Sequence, residues 1–151
     1  MVPTIFLPRG IRNNNPGNIR LSAIRWQGQK LSEQHDEAFV EFSSPLFGLR
    51  ALMKLLLTYH LKHGLDTIEA IVNRFAPPCE NTTDSYIYAV AKFLNVRRRE
   101  QLNLRDKKTL IALTKAIVQH ENGKPLKDMP AEWYEQDFYQ QAADLILSHN
   151  T

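Results

Sequence analysis

The sequence predicts an α+β domain, predominantly α-helical, with a small β element near the N-terminus. Apolar residues recur at helical spacing in five segments after residue 44, and short alternating stretches precede them. No repeat, low-complexity tract or linker interrupts the 151 residues, which predicts a single domain spanning 1–151.

The first forty or so residues are rich in Asn, Gly and Pro, and two short strands are expected there, at 21–28 and at Ala38-Phe39-Val40-Glu41-Phe42. Ser44-Pro45 then reads as a helix cap followed by proline in the first turn. The helix it opens runs to about His63 and carries Leu46, Phe47, Leu49, Leu52, Met53, Leu55, Leu56, Leu57 and Tyr59 around most of its circumference. Such a helix is expected at the centre of the core, with Gly64 as its stop. Asp66-Thr67-Ile68-Glu69 resembles a capping box and begins a shorter helix to about Phe75, which Ala76-Pro77-Pro78 breaks. Thr82 or Thr83 opens the next, with Tyr86, Ile87, Val90, Phe93 and Leu94 on one face. Another begins near Asp106, and a last amphipathic one is expected from about Pro130 to Ser148, with Trp133, Phe138, Ala142, Leu145 and Ile146 as its apolar residues.

Glu121 is the candidate catalytic residue. Leu110, Leu113 and Ile117 mark the buried stripe of its helix. At about 100° per residue, Glu121 falls roughly 40° from Ile117 around the axis. Asn122-Gly123 supplies the helix stop, so the carboxyl lies in the last turn, at the negative end of the helix dipole. Partial burial and that dipole both disfavour the ionised form, which is what a general acid for glycosidic cleavage needs. A Glu at a helix end is also commonly solvated or paired, so the position alone leaves both roles open.

Between Arg9 and Arg20 four asparagines surround Pro16-Gly17. Their amides can bond the local backbone in successive turns, or can form a polar wall matched to sugar hydroxyl and acetamido groups. On the second reading Asn15 and Asn18 are candidate substrate-binding residues. Trp26, beside Gly28, is a candidate stacking surface or a core residue, and Tyr86 a core aromatic or a partner for Glu121.

Other chemistries find less support. Cys79, the single cysteine, excludes an internal disulfide, and neither it nor His35, His60, His63, His120 and His149 makes a zinc pattern. No phosphate-cradling glycine loop occurs, so no metal or cofactor is expected. A formal charge of +3 suits an anionic polymer. The densest basic run, Arg97-Arg98-Arg99, is short, lacks interleaved aromatics and reads as a solvated helix end or loop; no nucleic-acid partner is expected. No segment reads as a signal peptide or a membrane span.

Several motifs occur in a telling order: Arg9-Gly-Ile-Arg-Asn-Asn-Asn-Pro-Gly-Asn-Ile-Arg20, Trp26-Gln-Gly28, Phe42-Ser-Ser-Pro45 with Gly48-Leu-Arg-Ala51, Ala76-Pro-Pro-Cys-Glu-Asn-Thr82 with Tyr86-Ile87, and His120-Glu-Asn-Gly123. Together, over about residues 9–125, they resemble phage and prophage proteins related to lysozymes and lytic transglycosylases. These are peptidoglycan-degrading modules associated with virions or with lysis. The resemblance implies a lysozyme-like fold whose order is circularly permuted, because the helix-terminal Glu follows the β region instead of preceding it. It further implies Glu121 as acid, with Asn18, Trp26 and Tyr86 near a saccharide cleft. Expected partners are peptidoglycan glycan strands and phage virion proteins, and the expected site of action is the periplasmic wall, reached through a virion or a holin. A hydrolase also needs a second carboxylate, for which Glu33, Asp36, Glu37 and Glu41 are unranked candidates; a transglycosylase does not. The alternative is a non-catalytic virion or wall-binding protein that retains the fold.

Overall fold

The computed structural model describes residues 7–76 and 83–148, so Cys79, Glu80, Asn81, Thr82 and His149 lie outside the described residues. Among the described residues there are six helices: α1 (Arg9–Arg12), α2 (Pro45–His63), α3 (Ile68–Phe75), α4 (Thr83–Leu94), α5 (Lys107–Asn122) and α6 (Gln136–Ser148).

Four of them follow from local sequence. Pro45 opens α2 and Gly64 closes it in the left-handed region at φ 66°. Thr67 caps α3 by accepting from the Ala70 amide, and Asp106 caps α5 by accepting from the Thr109 amide at 3.1 Å. The Thr83 hydroxyl at the start of α4 donates to the Ala76 carbonyl. Helix α2 is central: Leu49, Leu52, Met53, Leu56 and Leu57 are buried in one core with Ile71, Ile87, Leu110, Leu113, Ile117, Tyr139 and Ile146. Burying a side chain of this size contributes about 1.5–3 kcal/mol, so this shared core is the main source of stability. No helix among the described residues is long and apolar enough to cross a membrane.

Three expectations about α6 and α4 need correction. Helix α6 begins at Gln136, six residues after Pro130, because Trp133 turns to donate its indole N–H to the Gly123 carbonyl at 2.8 Å and Tyr134 is drawn into the core. Phe93, assigned to the buried face of α4, and Leu145, assigned to the apolar face of α6, are exposed.

The larger correction concerns the fold class. The expected α+β, lysozyme-like arrangement with an N-terminal β element, and with it the permuted order, is not found: the described chain is all-helical and has no sheet. Where two strands were expected there are two isolated antiparallel bridges, Arg20 to Phe39 and Gln29 to Phe42. The reason is local. Side chains take up the backbone groups that a neighbouring strand would otherwise use. Asn15 donates to Val40 O, Asn14 to Phe42 O and Gln34 to Phe39 O, while Gln34 Oε1 accepts from Glu41 N and Asp36 from Phe39 N. The alternating residues still bury one side: Ile19, Val40, Phe42 and Ala51 form a small second core, against which Leu21, Trp26, Phe47 and Leu55 pack. An amide-stapled loop thus stands in place of a hairpin.

Two glycines let this loop reach the helices. Gly48 on α2 lies against the Asn14 carbonyl so closely that a Cβ would penetrate it. A Cβ on Gly10 would come within 2.5 Å of Asn122 Oδ1 and 2.9 Å of Asn18 Oδ1. The asparagine-rich segment is therefore clamped between α2 and the end of α5.

Candidate active site

That clamp brings residues 103 positions apart into contact. Asn122, buried in the last turn of α5, donates to the Pro16 carbonyl at 2.8 Å and to Val118 O at 2.9 Å. One residue earlier, Glu121 is half-buried, and its Oε1 accepts from Asn18 Nδ2 at 3.0 Å. Asn18 holds its side chain there from a left-handed backbone at φ 50°, a conformation that Asn tolerates better than most residues.

Glu121 and Asn18 open onto a cleft of about 410 Å³, lined also by Gly17, Ile19, Arg20, Phe39, Tyr59 and Phe75. This volume falls within the range of small-ligand sites. The lining combines aromatic and aliphatic surface with a few polar groups, and Glu121 is the one carboxylate among the described residues that line it.

Tyr86 lies behind the acid and does not line the cleft. Its ring stacks on His120 at 3.8 Å between centroids and meets Phe75 edge-on at 6.5 Å. Burial, reinforced by the neighbouring Glu121 charge, raises the phenol pKa far above its ordinary value, so Tyr86 stays neutral at every working pH. Its buried hydroxyl lies beside Glu121.

The remaining sequence candidates separate from this group. Asn15 is fully buried; its amide donates to Ile19 O and Val40 O and its carbonyl accepts from Ile19 N, which leaves no free donor for a ligand. Its place in the structure is that of a turn staple. Trp26 packs on the second core away from the cleft lining, with its indole nitrogen buried.

The candidate second carboxylates are also occupied or remote from the cleft lining. Asp36 accepts from Arg9 at 2.6 and 2.7 Å, from Asn13 at 2.9 Å and from the amides of Ala38 and Phe39. The Arg9 guanidinium holds the Asp36 carboxyl well below the usual carboxylate range. Glu41 is buried and takes the backbone N–H groups of His35 and Asp36. Glu33 and Glu37 are exposed. The arginine run is likewise engaged: Arg98 pairs with Glu69 and Asp84, Arg99 with Glu69, and Arg97 with Glu100. No group of three or more His, Cys, Asp or Glu suited to a metal ion occurs among the described residues.

Sequence reasoning missed Arg20, Phe39, Tyr59 and Phe75 as cleft residues. One signal was available: Arg20 closes the asparagine motif two residues beyond Asn18.

No family model matches the chain. Protein P5 of Pseudoalteromonas phage PM2 is 40% identical to it over 118 residues, which cover 76% of this chain and 71% of that protein. A phage relative accords with the phage connection drawn from the motifs, although its name states no activity. With identity of that level over most of both chains, the protein belongs to the family of phage PM2 protein P5.

Proposed function

We propose that the protein cleaves the glycan strands of bacterial peptidoglycan, with Glu121 as general acid and then base. The observation that carries this reading is the Asn18–Glu121 hydrogen bond at 3.0 Å, which sets a helix-terminal carboxyl at the wall of the cleft. An amide N–H can only donate, so Asn18 fixes Oε1 as an acceptor and leaves the proton of the acid form to Oε2. Glu121 gives that proton to the glycosidic oxygen as the bond to the anomeric carbon breaks. The resulting carboxylate takes a proton back from the incoming nucleophile, either water or a muramyl hydroxyl of the same strand. Because Glu121 is the one carboxylate among the described lining residues, the internal hydroxyl is the simpler nucleophile and transglycosylation the simpler route. The resemblance of the motifs around Asn18 and Glu121 to phage peptidoglycan-degrading modules supports the substrate. The protein reaches the wall from a virion or through a holin-made lesion.

A second reading, a non-catalytic virion component or wall binder, is favoured by the engagement of Asp36 and Glu41 in structural bonds. Mass spectrometry of purified sacculi after incubation with the protein separates the two. Anhydro-muramyl ends identify a transglycosylase, and new reducing ends a hydrolase. Sedimentation with sacculi without release of soluble muropeptides identifies the binder and overturns the catalytic proposal.

A further inference from the structure

We infer that Arg20 is the specificity-determining cation of the cleft and takes a pendant carboxylate on the sugar beside the bond that Glu121 acts upon. The inference rests on the catalytic reading for the location of that bond, and on separate observations for the cation. Two guanidiniums flank the Phe39 ring, Arg9 at 4.5 Å and Arg20 at 4.9 Å from its centroid. Their charges differ in availability. Arg9 is matched by Asp36 in a two-point pair, whereas Arg20 has no ion pair among the described residues and is exposed.

Arg20 also lines the cleft together with Asn18 and Glu121, yet no pair closer than 4.0 Å links it to Glu121. The guanidinium and the acid are therefore separate groups on the cleft wall. The position of Arg20 is steadied by the face of Phe39 and by the backbone bridge that joins residues 20 and 39. A planar donor fork, held on an aromatic ring and facing a ligand-sized cleft, suits a carboxylate. The cleft is thus built for a glycan carrying a carboxylate and discriminates against a neutral one of the same length.

The test uses Glu121→Gln as the background, so that ligands bind without turnover. Binding is measured by calorimetry for three tetrasaccharides: one alternating N-acetylglucosamine and N-acetylmuramic acid, the same with its lactyl carboxyls converted to methylamides, and a neutral N-acetylglucosamine tetramer. The acidic tetramer is expected to bind about tenfold more tightly than either neutral one, with the preference falling in 1 M salt. Adding Arg20→Gln abolishes the preference while the neutral ligands bind as before, and Arg20→Lys restores part of it. Equal affinity for all three, an equal loss on all three from Arg20→Gln, or no binding of any overturns the assignment. Digestion of sacculi distinguishes its failure from that of the catalytic reading. Arg20-dependent preference in a protein that cleaves nothing keeps this assignment and removes catalysis. Sacculus cleavage with a KM unchanged by Arg20→Gln does the reverse.

Discussion

Asn15→Ala tests whether the asparagine-rich segment is a structural staple. Its side chain makes three hydrogen bonds in a fully buried position: to Ile19 O at 2.9 Å, to Val40 O at 2.8 Å, and from Ile19 N at 3.0 Å. Ile19 O keeps a second partner, since it also accepts from Val40 N at 2.9 Å. Val40 O and Ile19 N have Asn15 as their hydrogen-bond partner among the described residues, so truncation orphans two buried backbone groups. At about 1–3 kcal/mol for each group, the expected loss is about 3 kcal/mol. With a urea m-value of about 2 kcal/mol/M, the unfolding midpoint should fall by about 1.5 M. Both urea and guanidinium melts, followed by circular dichroism, measure it. If Asn15 instead served substrate, the variant would keep its midpoint and lose affinity. A fall of less than about 0.3 M would refute the staple and restore the amide to the list of ligand groups.

Two further predictions concern the same loop. The depressed Asp36 pKa means that its pairing stabilises the fold at pH above the unfolded value of about 3.9, and that this contribution is lost as pH falls toward the lower folded value. Wild type should therefore lose urea resistance steeply between about pH 4 and pH 2, and Asp36→Asn should show a lower midpoint at pH 7 with a flatter acid slope; parallel slopes in the two proteins would contradict the pairing. Gly48→Ala forces a methyl group into the Asn14 carbonyl, and should cost about 2 kcal/mol or more in denaturant melts, with no gain from improved helix propensity; a neutral or stabilising result would contradict the close approach.

The helices α2, α3, α4 and α5 were legible because their signals are local: Pro45, Thr67 and Asp106 at the starts, and the periodic leucines and isoleucines between. The start of α6 was not, because the Trp133 bond to Gly123 and the burial of Tyr134 are tertiary choices that override a permissive sequence. The β element failed for a related reason. Alternation in residues 38–42 marks Val40 and Phe42 as buried but misses Glu41, and burial does not require a ladder when Asn14, Asn15 and Gln34 satisfy the backbone. At the site, the helical phase of Glu121 and the asparagine motif that holds Asn18 were both legible, though the motif offered Asn15 equally. The meeting of Asn18 and Glu121 depends on Gly10, Gly48 and Asn122, contacts that no spacing rule encodes. The same amide chemistry made Asn15 and Asn18 look alike in sequence, and only their surroundings separate a saturated staple from a group facing a cleft.

The most direct test of Glu121 as the acid is a comparison of wild type with Glu121→Gln on permeabilised Gram-negative cell walls. Glutamine keeps the shape and can still accept from Asn18, so the circular dichroism spectrum and melting temperature should be preserved. Catalysis by Glu121 predicts that wild type clears the suspension and that the variant loses at least a hundredfold in rate. Undiminished clearing by a folded Glu121→Gln protein would contradict it.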